Sequence, residues 1–167
     1  MSLFDHVMVP KNGSLTIEDA TGGTPISMVV PYDEGDFAHG DMQAGYMDAE
    51  FMKSRGVHFS VVEVGENEIE LTFNAHATDF ADATEKALPD MAMKTGAFAA
   101  GVSVFGANRP WGVKLTYKQE QTNYGAGADS TLVFSKVRPI YAFSEAGTGK
   151  FSFKFRVYNP SSTITRT

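Results

Sequence analysis

Between Asn67 and His76 apolar and polar residues alternate. Ile69, Leu71, Phe73 and Ala75 fall on one side, and Glu68, Glu70, Thr72, Asn74 and His76 on the other. A period of two marks a half-buried strand. At Thr78–Asp79 the period lengthens. Phe80, Ala83, Ala87 and Met91 then recur at spacings of three and four, which places them on one helical face. Asp79 or Thr84 would cap the start of this helix, and Gly96 would end it in a left-handed conformation. Pro89 is tolerated only near a helix start, so the regular helix is expected to begin near Thr84 or later. No other stretch of the chain carries a helical period.

The remainder reads as strand and turn. Ser14–Asp19 and Ile26–Val30 form a hairpin around the turn Ala20–Pro25, with Gly22 and Gly23 at its tip. Val57–Val64 is a further strand. Ala97–Gly106 is a small-residued connection, and Val113, Leu115 and Tyr117 alternate with Lys114, Thr116 and Lys118. The Gly-rich segment 122–130 leads into Thr131–Phe143, where Pro139 is expected to interrupt the strand or mark an edge. The final strand has the clearest pattern: Phe151, Phe153, Phe155 and Val157 face one way, and Ser152, Lys154, Arg156 and Tyr158 the other. The pattern defines a mainly β protein with one α-helix. Residues 1–160 form a single domain, and the tail 161–167 is expected to be ordered only where a neighbour holds it.

One segment fits neither period. From Pro31 to Glu50 the chain carries Asp33, Glu34, Asp36, Asp41, Asp48 and Glu50 with no Lys or Arg, interleaved with Tyr32, Phe37, Met42, Tyr46 and Met47. It is too apolar for a disordered tail and too irregular for a core strand. Two readings stand: a projecting loop or β-arm that orders against a partner, and a surface loop packed on its own domain.

Charge sharpens the first reading. Residues 1–106 hold 5 Lys and Arg against 17 Asp and Glu, a net of −12, while residues 107–167 hold 9 against 3, a net of +6. Such a split arises when two parts pair within one fold or face solvent separately. It also suits a subunit with acidic and basic surfaces that associates head to tail. With 167 residues, 43% of them hydrophobic, the chain has enough apolar surface for one packed core. The absence of Cys excludes disulfides, thiolate metal sites and cysteine nucleophiles. The opening MSLFDHVMVPKNG lacks a secretory pattern, and no apolar run is long enough to span a bilayer as a helix. A soluble protein is expected.

Motifs that carry chemistry fail on inspection. Gly149-Lys150 ends like a phosphate loop, but Phe151 replaces the required Ser or Thr, and Ser144 stands where the first Gly belongs. Gly125-Ala-Gly127 lacks the third glycine of a dinucleotide site. Ser103 misses the nucleophile-elbow spacing by one residue. His39 lies near Asp36 and Asp41 without calcium-loop spacing, and His6, His58 and His76 stand alone. No catalytic residue, cofactor or metal is expected. A pI near 5.1 argues against tight nucleic-acid binding.

The ordered set of weak motifs resembles the tail tube proteins of long-tailed bacteriophages. The carrying stretches are MSLFDHV followed by GSLTIED, VPYDEGDF, ELTFNAHATDF running into a helix that ends KTGAFAAG, and the last strand KFSFKFRVY. The resemblance spans roughly Met1 to Tyr158; Pro89 departs from it, and the tail after Pro160 lies outside it. It implies a β-sandwich or barrel of two packed antiparallel sheets with a flanking helix and a long early loop or β-arm. It further implies hexameric rings that stack into a hollow tube for genome ejection, a plan shared with the tube protein of contractile secretion systems. The implied partners are copies of itself, then tape-measure, tail-terminator and distal-tail or baseplate proteins. DNA would pass through the lumen without sequence-specific binding. The implied setting is the virion tail, with assembly in the host cytoplasm. On this reading the arm is the inter-subunit element: Tyr32, Asp33, Glu34, Asp36, Phe37, Asp41, Met42, Tyr46, Met47, Asp48 and Glu50. Its candidate basic partners are Lys114, Lys118, Lys154 and Arg156. Two alternatives remain: a stand-alone β-sandwich that binds a small molecule or carbohydrate in a Phe-lined pocket, and a hydrolase with an unrecognised carboxylate pair.

Overall fold

The computed structural model describes residues 13–30, 36–40, 47–54, 57–66, 69–76, 86–119, 129–143, 149–158 and 164–167, with the backbone path alone for 47–54 and 57–66. Ten strands and one α-helix occur among them: β1 (Gly13–Glu18), β2 (Ser27–Val29), β3 (Ala38–His39), β4 (Met47–Ser54), β5 (Val57–Glu66), β6 (Glu70–His76), α1 (Leu88–Met93), β7 (Val113–Gln119), β8 (Ser130–Phe143), β9 (Lys150–Val157) and β10 (Ile164–Arg166). β4 and β5 pair with each other, and the other eight strands form one antiparallel sheet in the order β2-β1-β7-β8-β9-β6-β3, with β10 also on β8.

The single sheet is folded into two layers. Phe37, just before β3, stacks on Tyr117 of β7 with ring centroids 4.5 Å apart. Along the sheet, β3 and β7 are four strand spacings apart, which in a flat sheet is about 19 Å. The far edge has therefore come round onto the opposite half. Leu15, Ile17 and Leu115 of one half share one core with Phe73, Phe153 and Phe155 of the other. The expected pair of packed sheets is present as two halves joined through β8, with β4–β5 as a separate hairpin.

β8 can join them because it is 14 residues long and changes partners along its length. Residues 130–137 lie beside β7, and 137–143 beside β9. Pro139 sits within the strand instead of breaking it. The Tyr158 N–H donates to the Lys136 carbonyl at 2.9 Å, which makes Val137/Val157 and, two residues on, Pro139/Phe155 non-hydrogen-bonded pairs. The nitrogen of Pro139 thus faces away from β9, on the side where β7 pairs only as far as Val137. No ladder bond is lost there, which is the edge condition expected for a strand proline.

The C-terminal tail is held by its own chain. β10 continues the line of β9 along β8, with Ile164 opposite Phe134, and Thr131 and Thr167 exchange N–H···O bonds of 2.7 and 3.0 Å. β8 extends past the end of β9, and its backbone groups there need partners. The tail supplies them, so the neighbour that orders it is internal.

The helix is shorter than its periodicity suggests. Ala87 precedes it with no side-chain cap, Pro89 sits in its first turn, and Lys94 closes it with φ 58°. Phe80, Ala83 and the proposed caps Asp79 and Thr84 lie outside the described residues. Gly96 is left-handed, as expected, but it opens the following 3-10 turn Gly96–Phe98 instead of ending the helix. Two side chains explain the early stop. Thr95 Oγ1 donates to Asp90 Oδ1 at 2.5 Å, and Trp111 Nε1 donates to the Met91 carbonyl at 2.7 Å, satisfying a C-terminal acceptor. Lys94 Nζ lies 5.3 Å from the Trp111 ring centroid, so the cation ends the helix over an aromatic face.

The core is aromatic. Across β6, β9 and β8 the residues Phe73, Phe153 and Tyr141 form one cross-strand row with centroids 5.3 and 5.6 Å apart. Such pairs add about 0.5–1.5 kcal/mol each beyond their area burial. The alternation read from Phe151 to Val157 holds throughout, with all four apolar residues buried.

Candidate interaction surface

The acidic arm is partly placed. Asp36 accepts a long hydrogen bond from Asn74 Nδ2 at 3.4 Å, and Asn74 Oδ1 accepts from Ser152 Oγ at 2.9 Å. Phe37 is half-buried on Tyr117. Residues 36–40 of the segment therefore lie along β6 through the β3–β6 pairing, with one polar contact on β6 and one aromatic contact on β7. Met47, Asp48 and Glu50 lie on β4, which makes the end of the arm a strand of the β4–β5 hairpin. Tyr32, Asp33, Glu34, Asp41, Met42 and Tyr46 lie outside the described residues.

The four basic candidates fall in two places. Lys114 and Lys118 are on β7, where Lys114 Nζ is 2.5 Å from Glu18 of β1 and Lys118 Nζ is 2.9 Å from Asp129. Lys154 and Arg156 are on the outer face of β9 and share one carboxylate, Glu70 of β6, at 2.8 and 3.3 Å. Each candidate thus has an acidic partner within its own chain. Part of the charge asymmetry is internal pairing, because Glu18 and Glu70 come from the acidic region and their partners from the basic one.

Two cations missed in the sequence complete the second group. Lys136 and Arg138 are exposed on β8, and Arg138 lies directly opposite Arg156. The outer face of the β6–β9–β8 half thus carries a row Glu70–Arg156–Arg138, and beside it a row Thr72–Lys154–Ile140. The signal was obscured by a slip in alternation: Phe134, Val137 and Pro139 are buried, so one interval is three residues long. The same slip appears in the ladder, where Val113 faces Val137 but Leu115 faces Phe134. This is a β-bulge, which a strict period of two does not anticipate.

The remaining polar candidates serve the fold. Ser103 is buried, donates from Oγ to the Pro110 carbonyl at 2.7 Å, and accepts from the backbone N–H groups of Phe105 and Gly112 at 3.2 and 3.1 Å. Its hydroxyl is committed to the 103–112 turn. Asp19, at the end of β1, is also buried; its carboxylate accepts from the N–H groups of Thr21, Ile26 and Val102 and from the Thr21 hydroxyl. It ties the β1–β2 turn to the segment after the 3-10 helix. His39 Nδ1 donates to the adjacent Gly40 carbonyl at 2.9 Å. Among the described residues, no group of three His, Asp or Glu is arranged to hold a metal ion.

Two of these carboxylates set an acid limit on stability. Burial pushes the Asp19 carboxyl up, but the Thr21 hydroxyl and the three backbone N–H donors outweigh it and hold it below its usual 3.8. The Lys154 ammonium, aided by Arg156, holds Glu70 below its usual 4.5. A depressed carboxylate stabilises the fold above its unfolded pKa, and the contribution is lost as pH falls through the folded value. The melting temperature is therefore expected to be level from pH 7 to 5 and to fall below about pH 4.5, reflecting Glu70 first and Asp19 at lower pH. Melts across that range check this; no decline between pH 4.5 and 2 would contradict it.

The described residues form a mainly β sheet folded on itself, with one short helix on its flank. Among solved structures it is similar to a chain in the PVC sheath/tube terminator of an extracellular contractile injection system in the extended state. The TM-score is 0.59 at 8% identity, over 98% of this chain and 99% of that one. A chain in the PVC sheath-tube complex in the extended state gives 0.56 at 8% identity, over 98% and 93%. A chain in the anti-feeding prophage baseplate, 6-fold symmetrised, gives 0.51 at 7% identity, over 97% of each. No family model and no curated protein matches the chain. At this identity the likeness shows the fold alone, one shared with chains of these contractile injection system and anti-feeding prophage assemblies.

Proposed function

We propose that the protein is a structural subunit of a phage-type tail tube, with no enzymatic activity. It associates with copies of itself into hexameric rings, and the rings stack into the hollow conduit through which a genome leaves. The observation that carries this reading is the end-to-end likeness to chains in tube-containing assemblies, 98% of this chain against 99% and 93% of theirs. The proposed setting is the tail of a virion or tail-like particle, assembled in the host cytoplasm. Proposed partners beyond itself are tape-measure, tail-terminator and distal-tail or baseplate proteins.

The core supports this reading over a ligand-binding sandwich. The phenylalanines that would line a pocket, Phe73, Phe151, Phe153 and Phe155, pack in contact with one another. A second structural reading is favoured by two of the neighbours, a sheath/tube terminator and a tube-terminating cap. A terminator closes a tube with one ring and does not stack.

Sedimentation of the purified protein separates the three. A tube subunit gives a species of about six times 18.1 kDa and, as concentration rises, open-ended larger polymers. A terminator stops at the ring, and a binding module remains a monomer at all concentrations.

A further inference from the structure

Residues 130–135 of β8 read Ser-Thr-Leu-Val-Phe-Ser, with no charge and no proline. An uncharged, β-prone window of this kind pairs readily with a like strand when it lies on a sheet edge. One side of it is covered by β7, from Leu115 to Gln119. On the other side the β9 ladder runs only from Phe143 to Val137, and among the described residues β10 alone covers the rest. Thr131 and Thr167 exchange both backbone bonds, so by the alternation of an antiparallel ladder Val133 and Thr165 form the next hydrogen-bonded pair. The N–H and C=O groups of Thr131 and Val133 therefore point at β10. That cover is slight. β10 is three residues long, Thr165, Arg166 and Thr167 are exposed, and of these tail residues Ile164 is the one packed on the core. The other two edges of this sheet are short by themselves. β3 has two residues, and on the three-residue β2 the Ser27 carbonyl already accepts from Lys86 Nζ.

We propose that β10 is an autoinhibitory strand, which fills the β8 edge within its own chain and blocks residues 130–134 from pairing with the same segment of a second copy. The uncovered edge selects its own kind as partner. Two such edges, run antiparallel about Leu132, set Thr131 of one copy opposite Val133 of the other. All the outward N–H and C=O groups of both copies are then bonded, and no charge meets a like charge. The contact is isologous and closes after two copies. β10 substitutes a poorer edge for this one: it is three residues long and carries the exposed Arg166, whose Nε lies 3.4 Å from Ser130 Oγ. A short edge with a cation on it turns away further strands. Ile164 fixes the register, because it stands opposite Phe134 in a non-hydrogen-bonded pair, where side chains approach most closely. The twofold contact needs no ring, so the inference does not depend on the tube reading.

The test uses full-length chains and engineered cysteines, which report without background because the chain has none of its own. Thr165→Pro removes the N–H that bonds Val133 and releases β10 without altering a core side chain. Thr131→Cys chains are mixed with Val133→Cys chains, which covers the registers in which two such edges can bond, and the mixture is mildly oxidised. When both chains also carry Thr165→Pro, at least tenfold more disulfide-linked dimer of about twice 18.1 kDa is expected. Val133→Cys and Thr165→Cys placed in one chain should instead close an intrachain disulfide and give no dimer. Circular dichroism confirms folding. If Thr165→Pro impairs it, Ile164→Ser keeps every backbone bond, loses only the core contact, and should raise the dimer yield by a smaller factor. Equal dimer yields from folded chains with β10 intact and released overturn the proposal. Disulfides between residue 133 of one copy and residue 165 of another overturn the placement of β10 within its own chain. Open-ended polymers in place of dimers overturn the twofold contact.

Discussion

Phe153→Ala is expected to lower folding stability by about 3–5 kcal/mol, whereas Lys154→Ser, one residue further on, costs about 1 kcal/mol or less. Phe153 is 2% exposed and touches aromatic rings on both sides, Phe73 on β6 and Tyr141 on β8. Removing it leaves a cavity bounded by large rigid rings that cannot collapse inward without losing their own contacts. The Lys154 side chain is 45% exposed, and its ion pair with Glu70 is open to solvent. Glu70 keeps Arg156 when Lys154 is gone, which limits the loss further. Denaturant unfolding of both variants measures the difference. Equal losses would mean that the two faces of β9 do not divide core from surface.

Asp19→Ala is expected to cost about 2–4 kcal/mol, because it removes the acceptor for three backbone N–H groups at once. The lengths of those bonds are 3.2 Å to Thr21, 2.7 Å to Ile26 and 2.9 Å to Val102. The environment leaves no room for a substitute: a side chain at Gly101 would meet Asp19 Oδ2 at 3.2 Å and the Trp111 ring at 2.9 Å. Asp19→Asn keeps one acceptor oxygen but turns an amide N–H₂ toward a donor, so it should fall between wild type and Ala. Hydrogen exchange at Val102 localises the effect, since that amide is bonded by the lost carboxylate. Unchanged stability of Asp19→Ala would show that water replaces the carboxylate at no cost.

How much of this was legible in the sequence depends on how strictly each element kept its period. β9 and β6 alternate without a slip, and their buried faces match the sequence pattern residue for residue. The β1–β2 hairpin was legible from its turn residues. The helix was legible as a type but not in extent, because Thr95 and Trp111, partners distant from its apolar stripe, set its end. β8 was the hardest. Its bulge broke the alternation, and Pro139 left open an interruption or an edge, of which the strand shows the edge. The pairing of the tail was invisible, since it depends on β8 extending beyond β9, a tertiary fact.

The acidic segment and the basic strands were legible as chemistry and not as geometry. Composition singled out the acidic segment, but strand order decides which cations share a face, and sequence does not supply that order. Lys154 and Arg156 could be placed on one outer face because β9 alternates cleanly; Lys136 and Arg138, behind the bulge, could not. Lys114 and Lys118 were selected on charge alone, and β7 sets them apart with their own carboxylates.

Self-assembly into stacked rings is tested most directly by negative-stain electron microscopy of the purified full-length protein across a range of concentrations. The account predicts rings of six subunits that stack into hollow tubes of uniform width as concentration rises. Single rings that never stack would fit a terminator, and monomers at every concentration would contradict the account.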